Sequence, residues 1–269
     1  MTKTKTITLW IIAFVLMAAL GVYQRRTGPT YEKSGKIDVA GQEIKFGLPR
    51  SHDGEGGEPI KLEVSDLSIS GKISYKRYKS NDEWKIVDMQ RFGKDLMAEI
   101  PHQPPAGKVV YDIRLLKDNK SYPLMKEPVI ITFKSHVPLY FLIPHILFIF
   151  TGMVLSLRTG FEAFFNGKNM YSLTIWTCII MFIGGIVFGP IIQKYAFDAY
   201  WTGWPFGHDL TDNKTLLAFI MWIIALWRLR KNKSAIGWVI AASIVQIAVF
   251  LIPHSVLGSE IDYTNMPAK

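Results

Sequence analysis

Charge is segregated along this chain. Residues 24–137 carry 36 of its 53 Asp, Glu, Lys and Arg side chains, although the chain has 269 residues. Long charge-free apolar runs fill the extreme N-terminus and the region after Pro138. A soluble globule spreads its charge. A bilayer core roughly 30 Å thick instead needs about 20 consecutive apolar residues in a helix, because no water satisfies the backbone there. The pattern therefore predicts two materials in one chain, a polar domain and a membrane bundle. The single cysteine, Cys178, excludes a disulfide framework, a Cys-rich zinc site, a thioredoxin-type pair and covalent c-type haem attachment.

Five segments read as membrane spans. An N-terminal one lies within residues 1–27, and four more run over about 138–157, 170–193, 212–229 and 235–257 of a bundle comprising 138–269. The fourth has the short charge-free core Thr215–Trp227 and borrows length from its flanks, with Arg228 reaching back to the interface. The first has a basic start and a long apolar core with no small-x-small cleavage site before Arg25, so it reads as an uncleaved signal anchor. Lys3, Lys5, Arg158, Lys168, Arg228, Arg230, Lys231 and Lys233 gather on one side, against Lys194, Lys214 and Lys269 on the other. Positive residues favour the cytoplasm, which predicts a bacterial inner-membrane protein with its N-terminus inside and residues 28–137 and the C-terminus extracytoplasmic. Arg25 and Arg26 pull the other way. The net charge of +9 thus reflects topology and contact with membrane lipids, not nucleic acid, for which no basic stripe with interleaved aromatics exists.

Residues 28–137 alternate with period two, as in Ile73, Tyr75, Arg77 and in Val109, Tyr111, Ile113, Leu115. Eight candidate strands (36–40, 42–48, 60–64, 72–79, 83–89, 95–100, 108–116 and 129–134), separated by Gly/Pro-rich breaks, predict a β-sandwich. The run DEWKIVDM…DLMAEIPHQPPAGKVVYDIRL resembles immunoglobulin-like and fibronectin-III-like modules of bacterial surface proteins. That resemblance implies an immunoglobulin-like fold with a binding or spacer role, and no chemistry. His52, Asp53, Glu55 and Glu58 lack the spacing of an EF-hand loop and read as a solvated hairpin tip, and His102 reads as a residue of a Pro-rich turn.

The candidate site lies at the extracytoplasmic end of the bundle. His145 and His254 occur in the near-identical phrases LIPHILF and LIPHSVL, each some 9–10 Å from the outer end of its helix at 1.5 Å per residue. Pro144, Pro190 and Pro253 each free a helix carbonyl at that depth, which lipid cannot satisfy. Between the third and fourth helices a connector holds six aromatics, Trp201 and Trp204 among them, and then delivers His208, Asp209 and Asp212. Asp209, Thr211 and Asp212 suit the start of a helix. His145, His254 and His208, lined by Asp209, Asp212, Trp201, Trp204, Pro190 and Glu260, are thus expected to converge on a polar pocket. Two readings stay open. The imidazoles hydrogen-bond the freed carbonyls and the carboxylates cap helices, or the histidines hold a b-type haem or a divalent metal.

No Walker A, GxSxG, HExxH or dinucleotide motif occurs, no catalytic residue is nominated, and no duplicated halves suggest a repeat-built transporter. The segments GPIIQKYAFDAYWTGWPFGHDLTDNKT and IPHSVLGSE resemble a group of bacterial inner-membrane proteins, a likeness that brings a location but no activity, ligand or partner. The leading expectation is a non-enzymatic accessory, assembly or scaffolding protein whose 28–137 domain engages an extracytoplasmic protein. A redox or metal-handling membrane protein is the alternative. An envelope hydrolase or lipid-modifying enzyme with His208 and Asp209 as acid and base is weaker, because no nucleophile is evident.

Overall fold

A computed structural model describes residues 1–267, so Lys269, counted above among the outer charges, lies outside the described residues. The chain forms two compact units, residues 1–29 with 137–258, and residues 30–136 with the C-terminal tail from Ser259.

The second unit is all β. Strands β1 (Lys33–Val39) and β2 (Gln42–Leu48) form a hairpin closed by Ala40 and Gly41. Both turn residues have positive φ (50° and 89°), the requirement of a tight two-residue hairpin turn, and the Asp38 carboxylate accepts the Gly41 amide. A larger sheet runs in the order β3 (Ser51–Asp53), β11 (Val129–Lys134), β9 (Lys108–Lys117), β5 (Ser70–Arg77), β6 (Lys85–Asp88), with β10 (Lys120–Pro123) folded back on β9. Strands β4 (Glu58–Glu63), β8 (Asp95–Ile100) and β7 (Gln90–Phe92) make the third sheet. The alternation read from the sequence is the burial alternation of these strands. Ile73, Val109, Tyr111, Ile113, Leu115, Ile131 and Phe133 share one apolar core with Ile60, Leu62, Leu96 and Ile100, as two faces of a sandwich do. Tyr111 is fully buried and donates its hydroxyl hydrogen to the Pro49 carbonyl at 2.8 Å. Strands β3, β7 and β10, of three or four residues, are additional to the eight expected, being too short to show a period.

The tail from Ser259 belongs to this unit. Tyr263 donates its amide to the Lys79 carbonyl (2.9 Å), and the Arg77 guanidinium lies 4.6 Å from its ring centre. Arg77 also holds Asp82 through two short bonds (2.6 and 2.7 Å) and reaches the Pro267 carbonyl at 2.7 Å.

The first unit is helical: α1 (Lys3–Thr27), α2 (Leu139–Phe164), α3 (Met170–Met181) continued through a π-helical stretch (Phe182–Phe188) into α4 (Gly189–Phe197), then α5 (Leu210–Lys231) and α6 (Ile236–Leu251). Lys3–Thr27, Leu139–Phe164, Met170–Phe197 and Leu210–Lys231 are long and apolar enough to cross a membrane, while α6 is apolar but has 16 residues. The bundle packs small residues inward, such as Ala13, Gly152, Ala163, Ala218, Ala225 and Ala242. Many of its large apolar side chains point out, among them Ile11, Phe14, Val15, Ile143, Leu147 and Ile244, although Trp222 and Met153 are fully buried. Close approach through small residues is the packing mode of helices in lipid, and an apolar exterior this extensive does not suit water.

Two boundaries differ from expectation for physical reasons. Helix α6 ends at Leu251 because the residue before a proline is pushed out of the helical region, and Ile252 is extended (φ −82°, ψ 115°). Helix α2 continues past residue 157, so Arg158 and Glu162 are helical and fully buried, paired at 2.6 Å one turn apart. Arg158 therefore behaves as a residue of the bundle, with the Trp10 ring 5.6 Å from its guanidinium.

Candidate polar cluster at one end of the helical unit

The start of α2, the end of α4, the start of α5 and the end of α6 meet at one end of the helical unit. Each contributes polar groups that the helix ends would otherwise leave unpaired.

Asp209 is the N-cap of α5, its carboxylate accepting the Thr211 amide at 2.8 Å. One turn on, Asp212 turns back to the connector, where one carboxylate oxygen accepts the amides of Thr202 (2.8 Å) and Gly203 (3.0 Å). Asn213 accepts the Trp204 amide at 2.6 Å, and Gln193 of α4 donates to the Thr202 hydroxyl at 2.5 Å. The connector is thereby pinned onto the first turn of α5, whose partial positive charge suits both carboxylates.

The end of α6 is tied down in the opposite sense. Lys214, only 6% exposed, donates to the carbonyls of Ile252 (2.6 Å) and Pro253 (3.4 Å). Gln24 near the end of α1 donates to the Phe250 carbonyl at 2.7 Å. A cation and an amide thus serve the electron-rich carbonyls at a helix C-terminus. The segment after α6 adds two further ties, the Leu210 amide to the Leu257 carbonyl (3.2 Å) and the Ser255 amide to the Thr211 hydroxyl (3.4 Å).

His145, one residue after Pro144, shares its Nδ1 with the Gly184 carbonyl at 3.0 Å. That contact depends on glycine. A Cβ at Gly184 would lie 2.8 Å from the Phe148 Cβ and 3.1 Å from the Ile149 nitrogen, so the two helices touch at backbone distance. Gly184 lies within the π-helical stretch, which passes into Pro190 in the first turn of α4. The Gly189 amide bonds the Gly184 carbonyl, five residues back. This wider turn rearranges the bonds around the proline that removes a donor.

His254 lies beyond the end of α6 and is exposed. His208 is exposed at the end of the connector. Trp201 donates its indole hydrogen to the Trp204 carbonyl at 3.0 Å, and the Trp204 side chain is exposed. Glu260 sits in the β unit, where it pairs with Lys108 (2.6 Å) and Lys79. Partial burial acts to raise its carboxyl pKa, but the two ammonium groups outweigh that and hold it below the ordinary value. Among the described residues, no three His, Cys, Asp or Glu side chains gather as a metal-ligand set.

Reading the sequence had missed Lys214, Gln24, Gln193 and Thr202. A lysine five positions after the N-cap Asp209, just ahead of an apolar run, was the available signal for the first. The others are ordinary residues given roles only by tertiary contact.

No protein-family model, curated protein or solved structure matches this chain.

Proposed function

We propose that this chain is an integral protein of a bacterial inner membrane, acting as a non-enzymatic accessory, assembly or scaffolding component. Its immunoglobulin-like β domain engages an extracytoplasmic protein, and the chain crosses the membrane five times. The carrying observation is how the ionisable groups at the bundle end are used. Asp212 serves two connector amides, Lys214 the Ile252 and Pro253 carbonyls just beyond α6, Asp209 caps α5 and His145 meets the Gly184 carbonyl. This supports a brace that fixes helix ends rather than a reaction centre.

Chain parity supports the span count. The tail from Ser259 hydrogen-bonds the β domain, which precedes α2. Both therefore lie on one side, and an even number of crossings must separate them. The segments Leu139–Phe164, Met170–Phe197 and Leu210–Lys231 supply three, so the short α6 is the fourth, and α1 makes five. The cluster of Lys and Arg near one set of helix ends supports a cytoplasmic N-terminus.

A binding role for the β domain draws on its surface. Leu67, Trp84, Ile86, Val87 and Phe92 are all exposed, and every residue of the edge strand β6 is exposed. An open edge with apolar side chains is the usual acceptor of an incoming strand. A photocrosslinking residue at Ile86 is expected to give a discrete adduct with an envelope protein in growing cells, while the same residue at Asp118 does not. Equal, nonspecific labelling at both positions would remove the partner from the account.

A second reading, haem or metal held by His145, His254 and His208, is favoured by one observation. Nδ1 of His145 is occupied by the Gly184 carbonyl, which leaves Nε2 as the ligating atom. It predicts a Soret band or stoichiometric metal in purified protein that disappears in His145→Ala and His254→Ala.

A further inference from the structure

Two histidines, His52 in β3 and His102 in the turn after β8, have ring nitrogens set in the same way. His52 makes a 2.5 Å contact from Nδ1 to the Glu58 carboxylate, with 11% of its side chain exposed. His102, in the turn after β8, places its Nδ1 2.8 Å from the Gly56 carbonyl. A carboxylate and a carbonyl only accept, so both rings carry hydrogen on Nδ1 when neutral, and both present a bare lone pair at Nε2. Nε2 of His52 is buried without a hydrogen-bond partner. An unpaired buried nitrogen calls for a partner.

The two rings flank Phe133, with centroids 5.1 and 5.8 Å from it and 6.4 Å from one another. A metal about 2.0–2.1 Å from an imidazole nitrogen lies about 3.2 Å from that ring's centre. Two rings sharing one metal thus have centres up to ~6.4 Å apart, and about 5 Å apart at a tetrahedral angle. The exposed His102 turn needs to close by only about 1 Å to reach the latter value.

We propose that His52 and His102 bind one divalent transition metal of the zinc or copper(II) type through Nε2. Glu58 and the Gly56 carbonyl orient the rings from behind. The carboxylate–histidine–metal arrangement fixes the tautomer and makes the ligand more basic. Two nitrogen donors favour zinc or copper over calcium, which takes oxygen ligands. Water completes the coordination, with the exposed Asp53 and Glu55 adding attraction for a cation.

The test uses the full chain purified in detergent, with Zn²⁺ by calorimetry and Cu²⁺ by electron paramagnetic resonance. Wild type is expected to bind one Zn²⁺ per chain and to give a copper spectrum with two nitrogen donors. His102→Ala, on an exposed turn, keeps the fold and leaves one nitrogen. His52→Ala lowers affinity at least tenfold, and Glu58→Gln lowers it by about 10–100-fold. His136→Ala changes nothing. An oxygen-only copper spectrum, or zinc binding unaltered in both His52→Ala and His102→Ala, overturns the proposal. Zinc binding lost only in His145→Ala and His254→Ala also overturns it and assigns the metal to the bundle.

Discussion

Asp212→Ala tests the brace at its most economical point. One oxygen of Asp212 accepts two backbone amides, Thr202 at 2.8 Å and Gly203 at 3.0 Å, and Gly203 is buried. Alanine leaves both amides unpaired, at about 1–3 kcal/mol for each buried donor. Asn213 still holds the Trp204 amide, so part of the connector stays attached. A net cost of about 3 kcal/mol corresponds to roughly a hundredfold shift toward the detached connector, at 1.4 kcal/mol per decade. Asp212→Asn keeps an acceptor but loses the charge, which costs about 1 kcal/mol per bond. Amide hydrogen exchange on the protein in detergent reads this directly. Protection at Thr202 and Gly203 should fall about a hundredfold in Asp212→Ala and roughly ten- to thirtyfold in Asp212→Asn. Unchanged exchange in Asp212→Ala would show that the carboxylate does not hold the connector, and the brace would lose its main tie.

Removing the cation from the other half of the brace, Lys214→Met, takes the ammonium donor from the Ile252 and Pro253 carbonyls just beyond α6 and leaves Ile252 only the 3.5 Å bond from Gln24. At about 2 kcal/mol it should lower the thermal midpoint in detergent by about 4–8 °C. Gly184→Ala pushes a methyl group against the Phe148 Cβ and the Ile149 backbone, 2.8 and 3.1 Å away, and should cost about 1–3 kcal/mol by the same assay. The tail should be released in acid. Glu260 has a folded pKa below its ordinary 4.5, so its contribution is present above that value and is lost as pH falls through the lowered one. A fluorophore at Asn265 should report this release as pH falls below the ordinary 4.5, and Glu260→Gln should weaken that pH dependence.

The broad division of the chain was legible because charge and apolarity are each written locally. The polar domain showed itself through Val109, Tyr111, Ile113 and Leu115, whose alternation is the burial pattern of β9. Of the two Pro-His phrases, the first lies inside a continuous α2, whereas the second lies beyond α6, so His254 is not on the helix expected to extend to residue 257. What the sequence concealed was pairing at long range. Glu260 lies a few residues beyond His254, yet its partners, Lys79 and Lys108, are about 150–180 residues away. Arg158 looked like a loop charge because hydropathy alone ends the span there, whereas its i,i+4 partner Glu162 lets α2 carry it inside. The cross-sheet meeting of His52 and His102 was similarly hidden, since each sits in a turn that looks solvated on its own.

Sidedness provides the most direct test, because five crossings and a tail that shares a compartment with the β domain stand or fall together. Replacing Cys178 with serine and placing single cysteines at Asp118, Asn265 and Lys233 allows labelling of intact spheroplasts with a membrane-impermeant maleimide. Asp118→Cys and Asn265→Cys should react in intact spheroplasts, and Lys233→Cys only after lysis. Reaction of Asn265→Cys together with Lys233→Cys, on the side opposite to Asp118→Cys, would mean that α6 does not cross and that the tail cannot reach the β domain.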